Sequence, residues 1–288
     1  MYFYLSLSII LLMITISITF YASVIEPRRL TITRHKIHSD YLPLGFHGVT
    51  IAQFSDTHIG PQYSLAQLEK LISTTLNTIK PDIVVFTGDL FDSRRKTALK
   101  NYNPSSALAG IQAPLGKFAI YGNHDFGHTR SERSSGTYLQ DAGFEILLNE
   151  SKRITLPSGE YITIAGLDDY LYGKPDPHSA FASLNADGFN LLLVHEPDVA
   201  DRFVRYPIDL QLSGHSHGGQ VSLPILGTLV NTSHGRKYIG GLYRVQQKLR
   251  AARPYLLYVN RGIGTTRIKV RLGSVPEVSV FTLLSKGK

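Results

Sequence analysis

The chain has 288 residues and a formal net charge of +8. With 43% hydrophobic and 18% charged residues it is a folding sequence, long enough for one large core or two modest ones, and not a disordered one. It has no cysteine, which excludes disulfides and thiolate metal sites. Any metal must be held by His, Asp and Asn, a donor set that suits Mn, Fe or Zn.

Residues 1–25 carry no charged side chain. As a helix at about 1.5 Å per residue they reach about 37 Å, enough to cross a bilayer with some tilt. The pattern predicts a transmembrane anchor over residues 1–26. The competing reading is a cleaved signal peptide. Against it, no Lys or Arg precedes the run and no small-x-small cleavage site follows. Arg28, Arg29, Arg34 and Lys36 lie just beyond the span, which favours a cytoplasmic catalytic domain by the positive-inside rule. Residues 27–43, with Pro27 and Pro43, read as a linker, and residues 44–288 as the globular domain.

Five apolar runs then follow, each ending in a side chain suited to a metal. The run at 49–54 leads to Asp56-x-His58; if strand geometry continued, positions i and i+2 would share a face and could grip one cation. Ser64 and Gln67 fit a capping box for a helix over 64–79, and Pro81 stops it. The run at 83–88 ends in Asp89, so this strand-helix-strand unit predicts a right-handed crossover onto a parallel neighbour. Residues 93–110 are polar and aperiodic, as a surface insertion would be. The run at 117–122 delivers Asn123-His124-Asp125. A helix over 131–142, short strands at 144–148, 153–156 and 161–165, and a helix over 177–184 come next. The run at 191–194 ends in His195, and that at 208–214 in His215-Ser216-His217. Layered α/β sheets place their sites at the carboxyl ends of strands, and each of these five runs ends that way. Any one of the histidines taken alone would more often be structural; their order as a set argues otherwise.

Asp56-x-His58, Gly88-Asp89, Gly122-Asn123-His124-Asp125, His195 and Gly214-His215-x-His217 together resemble the calcineurin-like metallophosphoesterase superfamily. The segments at 193–198, 214–220 and 259–262 resemble its bacterial membrane-associated or exported subgroup, which includes UDP-2,3-diacylglucosamine pyrophosphatases and cell-wall-associated phosphoesterases. The resemblance implies a four-layer α/β/β/α sandwich of two mixed sheets with a dimetal site at the strand ends. It implies that Asp56, His58 and His217 hold one divalent ion and Asn123, His195 and His215 a second, with Asp89 bridging. It further implies hydrolysis of a phosphodiester or pyrophosphate by a metal-activated hydroxide, with His124 donating a proton to the leaving oxygen and Asp125 orienting its ring.

The expected partners are an anionic phosphate-containing substrate, lipid-linked or a nucleotide sugar, and the bilayer. The location is a single-pass cell-membrane protein, and the resemblance also allows an extracytoplasmic domain. Arg261, after an apolar run at 255–259, is a candidate substrate contact. Asp92 could support the site or cap a helix, and Asp168 and Asp169 could line the cleft or form a turn. Residues 234–288 carry about twelve Lys or Arg against one Glu, either a solvated surface or an attractor for phosphates or acidic lipids. Two other classes compete: a catalytically silent metal-binding partner on the same scaffold, and a phosphate- or nucleic-acid-binding protein. No nucleic-acid recognition motif accompanies the charge.

Overall fold

The computed structural model describes residues 2–92, 103–126, 133, 135, 137–223, 227–229, 232–246 and 253–286. Tyr2–Phe20 is an apolar helix with no buried residue, and helical backbone continues through Tyr21–Ile25 and Glu26–Arg28. The whole stretch Tyr2–Arg28 is long and apolar enough to cross a membrane. Its far end is docked on the rest of the chain. The Ala22 carbonyl accepts the Arg271 amide at 2.9 Å, and the buried Glu26 carboxylate accepts the Ser274 amide at 2.8 Å.

The strands are β1 (Thr31–Ser39), β2 (Thr50–Phe54), β3 (Ile83–Phe86), β4 (Lys117–Ala119) and β5 (Glu145–Ile146). They continue with β6 (Glu150–Thr155), β7 (Tyr161–Gly166), β8 (Asn190–Leu193) and β9 (Leu210–Ser213). A small hairpin of β10 (Ser222–Leu223) and β11 (Gly227–Thr228) precedes β12 (Gly241–Arg244), β13 (Leu256–Val259) and β14 (Glu277–Ser285). One six-stranded sheet has the order β1-β14-β2-β3-β4-β5 and the other β12-β13-β9-β8-β7-β6. Both are mixed. β2, β3, β4 and β5 run parallel while β14 opposes β2, and β13, β9, β8 and β7 run parallel while β12 and β6 oppose their neighbours.

Residues 27–43 are therefore not a linker. They contain β1, which pairs in parallel with β14 from Thr31↔Glu277 to Ser39↔Ser285. Its alternation is hidden in the sequence because β1 is an edge strand. Arg34, Lys36 and His38 face solvent, and Ile37 is its one apolar side chain in the core. Such a strand can be recognised only once its partner is known.

Three apolar layers separate four layers of secondary structure. Ile83 and Val85 of β3 meet Leu191 and Leu193 of β8 between the sheets. On the outer face of the first sheet, Val84 and Phe86 pack on Leu68, Leu71 and Leu76. On the outer face of the second, Leu192 and Val194 pack on Phe181, Val199 and Phe203. Burial on both faces explains why these parallel strands read as unbroken apolar runs. The architecture is the expected α/β/β/α sandwich.

The capping box forms as the sequence predicts. Ser64 Oγ accepts the Gln67 amide at 3.3 Å, and Gln67 Oε1 accepts the Ser64 amide at 3.0 Å. The helix runs through Leu65–Leu71, widens over Ile72–Leu76 and finishes in Asn77–Ile79. The later helices are shorter than expected. Tyr138–Asp141 is helical, while 131, 132, 134 and 136 lie outside the described residues. Pro177–Phe181 is a five-residue helix capped by Asp176. Of the expected surface insertion, 93–102 lie outside the described residues, and Ser105–Ala109 is a helix that buries Leu108.

Candidate metal centre

The side chains predicted to act together do meet, beyond the carboxyl ends of β2, β3, β4, β8 and β9. The local device differs from the one expected. β2 ends at Phe54, so Asp56 and His58 are not alternate residues of a strand. Instead Asp56, His58, Asp89, His215 and His217 adopt left-handed backbone, with φ of 50°, 46°, 62°, 70° and 53°. Such backbone costs a non-glycine residue about 1–3 kcal/mol and persists only where its surroundings enforce it. Here the enforcement is visible. The Asp56, His58 and Ile59 amides bond to the carbonyls of Gly88, Asp89 and Leu90, lacing the two loops together.

Three imidazoles converge on two carboxylates. Asp89 Oδ2 lies 3.3 Å from His195 Nε2 and 3.6 Å from His58 Nε2. Asp56 Oδ1 lies 3.5 Å from His217 Nε2 and 4.0 Å from the Nε2 atoms of both His58 and His195. The His215 ring stands 5.0 Å from that of His195, with its Nε2 on the Ser233 carbonyl at 2.7 Å. Asn123 opens a short helical turn, Asn123–Asp125, after β4. Two glycines make the approach possible. A Cβ on Gly122 would stand 2.6 Å from His195 Cε1, and one on Gly88 would stand 2.7 Å from His195 Nδ1.

The donor chemistry suits divalent cations. His195 Nε2 and Asn123 Oδ1 are buried without a well-aligned hydrogen-bond partner, a costly arrangement unless a cation takes the lone pairs. Asp56-His58-His217 and Asp56-Asp89-His195 each bring three ligand atoms within 4.8 Å of one another. Burial, helped by neighbouring histidines, pushes His58 down to about 3, His215 to about 4 and His217 well below its ordinary value. These rings are therefore neutral, the form that ligates. On His195 burial acts the same way, but Asp89, Asp56 and Glu196 outweigh it and raise its pKa well above the ordinary value. Burial also acts to raise Asp89, but His195 and His124 outweigh it and hold its carboxyl well below the usual range. Burial, against the pull of His195, raises Asp56 to about 7.

The profile of the family described as "Calcineurin-like phosphoesterase" matches residues 49–219, the segment that holds every one of these side chains. The chain belongs to that family.

A calcineurin-like phosphoesterase is a metal-dependent phosphoester hydrolase, and several relatives are similar to this chain over nearly all its length. It is 39% identical to the Bacillus subtilis (strain 168) "Uncharacterized metallophosphoesterase YkuE", covering 92% of this chain and 89% of that one. It is 31% identical to the Chlamydia muridarum "UDP-2,3-diacylglucosamine pyrophosphatase LpxG", covering 92% of each. It is 29% identical to the Danio rerio "Transmembrane protein with metallophosphoesterase domain", covering 96% of this chain and 62% of that one.

Two of the expected roles need correction in this phosphoesterase. Asp125 does not orient the His124 ring. It is fully buried, and its carboxylate accepts the amides of Gly122 (2.8 Å), Asp89 (2.8 Å) and Leu90 (3.0 Å), tying the loops of β3 and β4 together. The carboxylate near the ring is Asp92, whose Oδ1 lies 3.9 Å from His124 Nδ1. Sequence adjacency misled because the turn Asn123–Asp125 sends neighbouring side chains apart. Arg261 does not line the site. Its Nη1 bonds to the buried Glu277 at 2.9 Å, and its amide to the same carboxylate at 2.8 Å.

A polar cavity of about 360 Å³ opens above Asp89, Asn123, His124, His215 and His217, and its outer wall includes Tyr172, Ser233 and Arg267. These wall residues escaped sequence reasoning because they come from loops without periodicity. Asp168 and Asp169 shape one of those loops. Asp168 pairs with Arg133 at 2.9 Å, and Asp169 accepts the amides of Leu171 (3.0 Å) and Tyr172 (2.5 Å). Two cations of the basic C-terminal stretch are structural. Arg253 bonds to Asp209, and the fully buried Arg271 gathers the carbonyls of Arg261, Gly262, Gly264 and Ser274.

Proposed function

We propose that this phosphoesterase is membrane-anchored and hydrolyses a phosphodiester or pyrophosphate bond in a lipid-linked or nucleotide-sugar substrate. Asp56, His58 and His217 would hold one divalent ion, and Asn123, His195 and His215 a second, the ions being Mn, Fe or Zn. Asp89 would bridge, since its Oδ2 is nearer to the His58 and His195 nitrogens (3.6 and 3.3 Å) than Asp56 Oδ1 is (4.0 Å to each). When bound, such a pair polarises a phosphoryl group and lowers the pKa of attacking water.

The chain's own groups supply the rest. The neutral rings of His58, His215 and His217 keep lone pairs for ligation across physiological pH. His124, which lines the cavity, is placed to protonate the leaving oxygen, and Asp92 Oδ1 stands beside its ring, 3.9 Å from Nδ1. Arg267 at the wall offers a forked donor for a second phosphate or a diester oxygen. Asp125 acts as a positioning residue through the backbone that carries Asp89 and Asn123.

The convergence of the His58, His195 and His217 Nε2 atoms on Asp56 and Asp89 carries this reading. The Chlamydia relative, named for a pyrophosphate bond in an acylated nucleotide sugar, supports the substrate class, and the apolar helix supports the anchor. The test is a screen of the Mn-reconstituted chain against lipid phosphates, nucleotide sugars, cyclic nucleotides and simple monoesters. The highest kcat/KM should fall on a diester or pyrophosphate. A clear preference for monoesters would overturn the proposal.

A further inference from the structure

A second site lies at the foot of the N-terminal helix, outside the catalytic cavity. Two adjoining cavities there, of about 500 and 210 Å³, share Pro27, Arg28, Tyr63, Gln67 and Ile263. Arg29 and Lys70 line the larger and Lys269 the smaller, and no acidic side chain lines either. Among the described residues, none of Arg28, Lys70 and Lys269 forms an ion pair. Arg29 is held in place by its bond to the Tyr21 hydroxyl at 2.9 Å. The rim is apolar: Leu30 and Ile32 line the larger cavity while 38% and 40% exposed.

We propose that this basic, apolar-rimmed cavity binds the headgroup of an anionic phospholipid from the bilayer that the helix enters, an inference that rests on the anchored reading above. The position follows from length. The 27 residues of Tyr2–Arg28 span about 40 Å as a helix, against a hydrocarbon core of about 30 Å, so the last turns emerge among the headgroups. Arg28 and Arg29 lie at that end. The bonds from Arg271 to Ala22 and from Ser274 to Glu26 fix the domain to the same turns, so the cavity is held at headgroup level. Cations there attract the phosphate of an acidic lipid, while Leu30 and Ile32 meet its glycerol and acyl portion. The site also borders the catalytic cavity. Gly264, Thr265 and Lys269 line the headgroup side of one loop, and Thr266 and Arg267 line the catalytic side.

The chain has no tryptophan, so Leu30→Trp supplies a single reporter on the exposed rim. The full-length variant is reconstituted in phosphatidylcholine vesicles. These carry equal fractions of either phosphatidylglycerol or phosphatidylcholine brominated on the acyl chain. We expect the brominated phosphatidylglycerol to quench the reporter at least about twofold more strongly. Adding Arg28→Gln, Lys70→Gln and Lys269→Gln should bring the two lipids to parity, while turnover of a soluble chromogenic diester is unchanged. Equal quenching before those replacements, with the chain resistant to carbonate extraction, would overturn the lipid site and leave the anchor standing. A preference that survives the replacements would overturn the assignment to this cavity. Release by carbonate would overturn the anchored reading, and the lipid site with it.

Discussion

Asp92 Oδ1 stands 3.9 Å from His124 Nδ1, whereas Asp125, next to His124 in sequence, points into the protein and collects three backbone amides. The two carboxylates should therefore fail differently. His124→Asn should keep its metals and slow turnover by about 10²–10⁴, the usual range for a general acid. The loss should be smaller for nitrophenolate leaving groups than for alkyl or sugar ones. Asp92→Asn should give a few-fold loss with the same leaving-group dependence, since a partly exposed pair at this distance is worth about 1 kcal/mol or less. Asp125→Asn should lower metal content and Tm, with equal losses on both leaving groups. A leaving-group dependence in Asp125→Asn alone would reverse the assignment.

Metal binding should release protons from particular groups. Because burial holds His58 near 3 and His215 near 4, neither carries a proton at pH 6. Asp56, raised to about 7, and His195, raised well above its ordinary value, do. A cation must displace those protons, so Mn affinity of the chelator-treated chain should climb as pH rises from 6 through 7. Calorimetry in buffers of different ionisation heat should report proton release at pH 6. An affinity that stays flat between pH 6 and 8 would contradict the assignment.

Close approach at Gly122 is a steric prediction. A methyl there would meet Asp89 Oδ1 as well as His195 Cε1. Gly122→Ala should cost about 1–3 kcal/mol of stability, the usual range for overpacking, and most of the bound metal. Gly60→Ala, whose methyl meets only ordinary contacts at 3.7 and 3.8 Å, should be tolerated. Thermal melts with metal analysis on both variants decide the matter.

Much of this candidate site was legible because each candidate ligand follows an apolar run, and runs buried on both faces leave an unbroken signal, as in β3 and β8. What the sequence concealed was conformational. Asp56 and His58 converge through left-handed backbone set by bonds to the Gly88 and Asp89 carbonyls, not through strand alternation. β1 was hidden because its partner, β14, lies about 245 residues away and its exposed face is charged. Arg271 looked like one more surface cation, yet it is fully buried and fastens the loop at Gly262 and Gly264, whose backbone abuts Asp56. Arg267 carried no sequence signal apart from its charge.

The docked helix end changes where the anchor can be cut. Removing residues 1–18 should give a chain that resists aggregation better and keeps full activity on soluble diesters. Removing residues 1–26 also takes away the acceptors for the Arg271 and Ser274 amides, each worth about 1–3 kcal/mol if left unsatisfied in the interior. The shorter chain should melt several degrees lower. Equal melting points would show that the docking contributes nothing.

These side chains should hold two ions with Asp89 between them, and metal stoichiometry tests that arrangement most directly. The full-length chain, loaded with Mn and freed of excess, should carry two ions per chain by elemental analysis. His58→Ala and His195→Ala should each lose about one, Asp89→Ala should lose the most, and activity on a chromogenic diester should fall in all three. Two ions retained by Asp89→Ala, or a single ion in the parent chain, would contradict the account.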